Sequence, residues 1–205
     1  MTGRGVLSRA LRFMPQMGAF LILVVGLSAC GINDVPRQDE QVKAAWSQVL
    51  NQYQRRADLI PNLVATVKGY ANQEKTVLTE VTEARAKATQ TTLPADVLTN
   101  PQAFRTFEQN QATLTGALGH LMAISERYPD LKSDQNFLAL QAQLEGTENR
   151  IAVARRDYIA AVQQYNTTLR TIPSRWVAAL LYPDAKVMQT FTISQQAQQV
   201  PKVQF

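Results

Sequence analysis

From Val42 the chain steps by four and three through fourteen positions: Val42, Trp46, Val49, Tyr53, Arg56, Ile60, Leu63, Val67, Tyr70, Glu74, Val77, Val81, Ala84 and Ala88. Twelve of them are apolar or aromatic, and only Arg56 and Glu74 interrupt the run. Such spacing puts the stripe on one side of an α-helix, where other helices have to cover it. The reading is one long helix over 39–90. Pro61 lies off the seam and predicts a kink there, because it removes a backbone donor. Gly69 is a second soft point.

Two more seams follow. A turn over 91–101 ends in Asn100-Pro101, a capping amide followed by proline at the first helical position. Phe104, Phe107, Gln111, Leu114, Leu118, Leu121 and Tyr128 then mark a helix over 101–128, with Ser125 its weakest step. Ser133 reads as the next cap. Phe137, Leu140, Leu144, Thr147, Ile151, Ala154, Tyr158, Ala161, Tyr165, Thr168 and Ile172 mark a third helix over 134–171. Pro173-Ser174 interrupts the run and starts a short fourth helix, Arg175 to Leu181, with Trp176 and Leu180 facing inward. No strand pattern competes. The expectation is an all-α fold, an elongated antiparallel bundle of three long helices plus one short C-terminal helix. Residues 39–182 form the bundle, and 183–205 form a Gln-rich, flexible tail.

Unequal helix lengths leave a remainder. A helix over 39–90 spans roughly 78 Å, against roughly 42 Å for 101–128 and roughly 57 Å for 134–171. Helix 2 then ends level with about residue 62 of helix 1. The apolar stripe below that level, Trp46, Val49, Tyr53 and Arg56 with Val42, seldom stays bare. It is a candidate assembly surface, covered by a second copy, a partner or a folded-back fourth helix.

The first thirty residues carry a different signal. Arg4, Arg9 and Arg12 precede Gly18–Leu27, an uninterrupted apolar stretch. Ten helical residues cover roughly 15 Å, half the roughly 30 Å hydrocarbon core, which suits an export signal and not a spanning helix. Leu27-Ser28-Ala29-Cys30 follows and resembles the bacterial lipobox. That resemblance implies cleavage between Ala29 and Cys30, a signal peptide over 1–29, and acylation of Cys30, the sole cysteine in the chain. Residues 30–38 then form a short tether. Removing the first 29 residues leaves 176 of the 205. Gly31 at the position after the cysteine, where Asp favours inner-membrane retention, leans toward the outer membrane.

Charge is read after this cut. The whole chain has 21 Lys+Arg against 16 Asp+Glu, net +5. Taking away Arg4, Arg9 and Arg12 leaves 18 against 16, or +2. The basic balance describes mostly the export signal, so the inference of a nucleic-acid partner lapses.

Several runs together resemble the LemA family of bacterial envelope proteins. They are Arg55-Arg56-Ala57-Asp58-Leu59-Ile60-Pro61-Asn62-Leu63-Val64, Thr66-Val67-Lys68-Gly69-Tyr70 and Glu80-Val81-Thr82-Glu83-Ala84-Arg85. Later come Tyr128-Pro129-Asp130-Leu131-Lys132, the stretch Gly146 to Arg155, Tyr165-Asn166 and Pro173-Ser174. The match covers about 40–182. It implies an antiparallel helical bundle held at a bacterial membrane, and it supplies no catalytic residues. The lipobox replaces the apolar N-terminal helix that many relatives have, which makes an exported domain the better reading.

Candidate sites are few. Arg55, Arg56 and Asp58 beside Pro61 read as a polar cluster, with Glu148 or Arg150 as partners for a buried pair, in preference to a recognition patch. Arg56 and Glu74 on the seam need partners, and a paired seam charge fixes register or assembly. Glu80/Glu83 and Glu145/Glu148 stand one turn apart, which on an exposed helix is a solvated face more often than an acid–base pair. His120 is expected to be half-buried and structural. Arg85, Lys87, Arg155 and Arg156 are read as solvated. With one His, one Cys and no Gly-rich phosphate loop, no metal, cofactor or catalytic group is expected. The expected function is a lipid-anchored, non-enzymatic scaffold whose partners are the bilayer and envelope proteins, with homo-oligomerisation through the stripe. The alternative is a binding module for a small ligand held between helices.

Overall fold

A computed structural model describes residues 31–90 and 94–192. The helices among them are α1 (Asp34–Tyr70), α2 (Lys75–Gln90), α3 (Pro101–Ser125), α4 (Pro129–Lys132), α5 (Gln135–Arg170) and α6 (Ser174–Leu181), and no strand occurs among the described residues. The all-α expectation stands. Its single first helix does not: the chain reverses at Ala71–Glu74, and α2 runs back along α1. The N–H of Ala71 closes α1 on the Val67 carbonyl, and the Leu78 N–H bonds to the Glu74 carbonyl to open α2. The break falls beside the soft point at Gly69, while Pro61 sits inside an unbroken α1.

The order is therefore up, down, up, down for α1, α2, α3 and α5. Four cross-helix contacts set the register: Arg85 reaches Ala57, His120 meets Glu80, Glu148 meets Arg56, and Tyr70 meets Asp134. At 1.5 Å per residue α1 and α5 are each about 55 Å long, whereas α2 and α3 reach only about 24 and 38 Å. The short pair covers the end of the bundle where α1 finishes. At the end where α1 starts, the beginning of α3, the turn over 94–100 and an extended segment over 183–192 take over.

That segment corrects the expected flexible tail as far as residue 192. Asn166 clamps it with a two-way amide pair, Nδ2 donating to the Met188 carbonyl and Oδ1 accepting the Met188 N–H, both at 2.9 Å. The Gln189 N–H donates to the Leu98 carbonyl at 2.7 Å, and the Tyr158 hydroxyl donates to the Gln189 carbonyl at 2.7 Å. Met188 and Phe191 are buried. The rest of the expected tail, 193–205, lies outside the described residues, as do the expected signal peptide, Ala29 and Cys30. The tether is shorter than expected, because α1 starts at Asp34 and already buries Val35.

Caps follow the sequence with one shift. The Asn100 side chain accepts the N–H groups of Gln102 and Ala103, with Pro101 behind it, as the motif predicts. The α5 cap is Asp134, accepting the Phe137 N–H at 2.8 Å, one residue after the expected Ser133. In α6 the buried residue is Ala178, so Trp176 and Leu180, expected to face inward, point to solvent.

Candidate functional site

The buried apolar residues fall into two clusters. One, at the start of α1, holds Val35, Val42, Trp46, Val49, Tyr53, Phe104, Phe107, Tyr158 and Phe191. The other holds Ile60, Leu63, Val67, Val81, Leu114, Leu121 and Phe137. Between them lies a polar layer centred on Arg56, which is 1% exposed. Its Nη1 donates to Glu148 Oε1 at 2.9 Å and to the Thr115 hydroxyl at 3.0 Å. Its Nη2 donates to Gln111 Oε1 at 2.7 Å, and the guanidinium lies over the Tyr53 ring. Thr147, fully buried beside Glu148, returns its hydroxyl to the Gln143 carbonyl within α5.

An arginine here has a structural reason. Burying a guanidinium costs several kcal/mol unless acceptors surround it. Helices α3 and α5 supply those acceptors at one level only, so a slip of either helix would strand the charge. The layer thus fixes the register of the bundle within one chain. Nε alone has no hydrogen-bond partner among the described residues. The groove beside the layer, about 250 Å³ and lined by Leu50, Asn51, Gln54, Ala57, Thr89 and Leu114 among others, is open and mixed in polarity. The Arg56 Nη groups are already engaged by the protein, and no histidine, cysteine or carboxylate is among the described residues lining that groove to activate the Thr89 hydroxyl.

A second polar device lies one turn further along α1. Pro61 has no N–H, so the carbonyl of Ala57, four residues before it, loses its helical partner. Arg85 from α2 supplies one, donating Nε at 2.8 Å. Arg85 therefore belongs to the interior polar framework, which corrects its reading as a solvated charge. The signal for it was present, since an interior proline always orphans the carbonyl four residues back. Which side chain would answer was not readable without the chain reversal.

The expected assembly stripe is corrected too. Trp46 is 6% exposed and Val49 0%, with Tyr53 and Arg56 equally inside. Trp46 packs against Phe104, Phe107, Tyr158 and Phe191, with ring centroids 5.0–6.1 Å apart. The cover comes from the chain itself, and mainly from α3, α5 and the segment over 183–192. Over that segment Arg155 stacks on Phe191 at 4.3 Å, a cation–π contact where a solvated charge was expected. Glu108 accepts the Thr192 N–H at 3.3 Å, and burial pushes its carboxyl above the usual range. Burial also raises the Tyr158 and Tyr53 hydroxyls, so both stay protonated at neutral pH and Tyr158 remains a donor.

The remaining candidates separate. Asp58 accepts from Gln54 on the surface, and Arg55 is exposed, so neither joins Arg56. Glu74 pairs with Arg127 at 3.0 Å and accepts the Tyr128 hydroxyl, tying the α1–α2 turn to the end of α3. Glu145 takes Gln141 as partner while Glu148 takes Arg56; Glu80 meets His120, and Glu83 is exposed. Neither carboxylate pair shares a pocket. His120 is exposed, with Nδ1 3.2 Å from Glu80, and not half-buried as expected. No group of three or more metal-ligating side chains converges among the described residues.

Residues 45–205 match the sequence profile of the LemA family. The chain is similar to Protein LemA of Metamycoplasma hominis, 24% identical over 170 residues, which cover 82% of this chain and 71% of that protein. It is also similar to Magnetosome protein MamQ 2 of Paramagnetospirillum magneticum, 39% identical over 62 residues, 30% of this chain and 23% of the relative. Magnetosome protein MamQ of Magnetospirillum gryphiswaldense is 24% identical over 159 residues, 70% of this chain and 58% of the relative. The chain thus spans less than two thirds of either magnetosome protein. None of the described helices is long and apolar enough to cross a membrane.

Proposed function

The chain belongs to the LemA family, and from that premise we propose that it is a non-enzymatic helical scaffold of the bacterial envelope, anchored to a membrane by acylated Cys30. One observation carries the reading. The lipobox cysteine lies only four residues before Asp34, and Val35 is already 3% exposed in the core. Even fully extended, four residues reach about 14 Å, so an anchor at Cys30 holds the bundle against the bilayer. Export by the basic and apolar N-terminal signal places the bundle outside the cytoplasm, and Gly31 directs it toward the outer membrane facing the periplasm. The exposed helix faces are then the surfaces offered to envelope proteins.

The geometry supports a holding role more than a chemical one. Buried polar groups are spent on Arg56, on the Ala57 carbonyl and on docking 183–192, and neither Glu80/Glu83 nor Glu145/Glu148 forms an acid–base pair among the described residues. The small-ligand alternative gains no specific support from the groove beside Arg56.

Substituting Cys30→Ser in the producing bacterium tests the anchor. The expected result is loss of incorporated fatty acid, together with slower gel mobility as the signal stays uncleaved. Unchanged mobility and unchanged fatty-acid labelling would refute it.

A further inference from the structure

The most exposed large apolar side chains among the described residues gather at the end where α1 starts. Ile172 is 64% exposed, Trp176 65% and Leu180 80%, with Leu181 at 50% beside them. All belong to α6 or the turn into it. Ala178, on the opposite side of α6, is buried in the same cluster as Val35 and Tyr165. At 100° per residue Trp176 and Leu180 each lie about 160° from Ala178, so α6 docks by a small residue and turns its largest ones outward. Exposed patches of this kind mark a surface that is covered in function.

We propose that this face of α6 is a membrane-contact surface, with Trp176, Leu180 and Ile172 entering the headgroup–acyl boundary of a bilayer with anionic lipids. Three observations select that occupant. The first is place: Tyr165 is level with Asp39 and Lys43, which puts the α5–α6 turn beside the first turns of α1. Cys30, four residues ahead of Asp34, therefore joins the bundle at this end. The second is chemistry: a tryptophan with leucines beside arginine is the composition of an interfacial anchor. The third is charge. Over 170–186 the cations Arg170, Arg175 and Lys186 stand against the single acid Asp184, the acids in the first turns of α1 (Asp34, Asp39 and Glu40) pair with Arg37 and Lys43, and no ion pair engages the three cations among the described residues. Free cations next to an apolar face suit anionic headgroups. The extended segment that follows does not cover the patch, because it leads away toward Glu108.

The proposal rests on the anchored reading above and adds to it. An acylated cysteine tethers the bundle at a point, and a second contact on α6 fixes its tilt and rotation. Anchors that combine two signals also hold far better than a single chain.

Tryptophan fluorescence separates the two readings. Of the two tryptophans, Trp46 is buried about 18 Å along α1 from Asp34, whereas Trp176 is exposed. The processed, acylated chain purified from the producing bacterium is reconstituted in vesicles of phosphatidylethanolamine and phosphatidylglycerol, with and without lipids brominated near the headgroup end of the acyl chain. Flotation with the vesicles reads the anchor, and quenching of Trp176, taken as the difference from a Trp176→Phe chain, reads the patch. The expected result is at least about a twofold loss of the Trp176 signal, with Trp46 unaffected. Flotation without Trp176 quenching would overturn the patch and leave the anchor standing. A blue shift that grows with protein density but ignores bromine would assign the face to a second copy and overturn the proposal. Quenching that persists in a Cys30→Ser chain while fatty-acid labelling is unaltered would support the patch and sink the anchor.

Discussion

The contact between Arg85 and Ala57 makes a quantitative prediction, because it exists only on account of Pro61. Arg85→Met keeps most of the apolar stem and removes the donor. What is lost is one charge-assisted hydrogen bond at 2.8 Å, and what remains is a carbonyl in a residue 1% exposed, without a partner. Leaving a buried acceptor unpaired costs about 1–3 kcal/mol, so a value of about 2 kcal/mol is expected. Pro61→Ala restores an N–H at the position from which a helix normally serves the Ala57 carbonyl. In that background Arg85→Met should cost well under about 1 kcal/mol. The four chains form a double-mutant cycle with a coupling of about 1–2 kcal/mol. Urea unfolding followed by far-ultraviolet circular dichroism measures it. With a slope of about 2 kcal/mol per molar, Arg85→Met shifts the midpoint by about 1 M in the parent chain. An equal shift in both backgrounds would refute the reasoning, since Arg85 would then act through packing that is indifferent to the proline.

The Arg56 layer predicts an asymmetry. Glu148→Ala strands a buried guanidinium and should cost roughly 2–3 kcal/mol, below the value for a fully buried pair because the Glu148 side chain is 41% exposed. Arg56→Met lets Glu148 turn to water but leaves the buried Gln111 Oε1 without its donor, so it should cost about 1–2 kcal/mol, still less than Glu148→Ala; urea midpoints in the reverse order would contradict this. Asn166→Ala removes both amide bonds to Met188, and hydrogen exchange at the Met188 amide should accelerate by at least about tenfold while amides in the middle of α1 stay protected. Asp134, which caps α5 and accepts the Tyr70 hydroxyl, has its carboxyl held below the usual range by the Phe137 N–H first and by Tyr70 second. The unfolded chain therefore binds this proton more readily. The stabilisation is complete above the unfolded value of about 3.9 and is lost as pH falls through the lower folded value. Asp134→Asn keeps a capping oxygen without the titration, so its urea midpoint should fall less than that of the parent chain between about pH 5 and about pH 2; parallel curves would exclude the cap as the source.

How much of this was readable depended on what each pattern encodes. Periodicity named the inner residues well: Val42, Val49, Ile60, Leu63, Val67, Val81, Leu114, Leu121, Ile151 and Tyr158 are all buried as the seams require. The Asn100 cap and the need of Arg56 for a partner, with Glu148 one of two candidates, were also readable, because each rests on local backbone chemistry or on the cost of an unpaired charge. The reversal at Ala71–Glu74 was not. The seam through Val67, Tyr70, Glu74, Val77 and Val81 keeps the helical phase through the turn, and a seam is the same whether its two halves lie end to end or fold against one another. That single ambiguity produced the overlong first helix, and from it the idea that Trp46 and Tyr53 need a second copy, a partner or a folded-back fourth helix to cover them.

Their real cover was hidden for a different reason. Residues 183–192 are extended, so they carry no helical period, and their docking depends on the Asn166 amide and the Tyr158 hydroxyl finding backbone far away in sequence. The same limit applies in reverse to α6. Apolarity at Trp176 and Leu180 states that these side chains gain from leaving water, but it does not state what removes them from it. Inside a bundle the neighbour is another helix, and the seam reading assumed so. Ala178 already fills the contact with the bundle, so for Trp176 and Leu180 that neighbour has to come from outside the described chain. On the proposed anchoring at Cys30, four residues before α1, a bilayer is the apolar phase closest to hand.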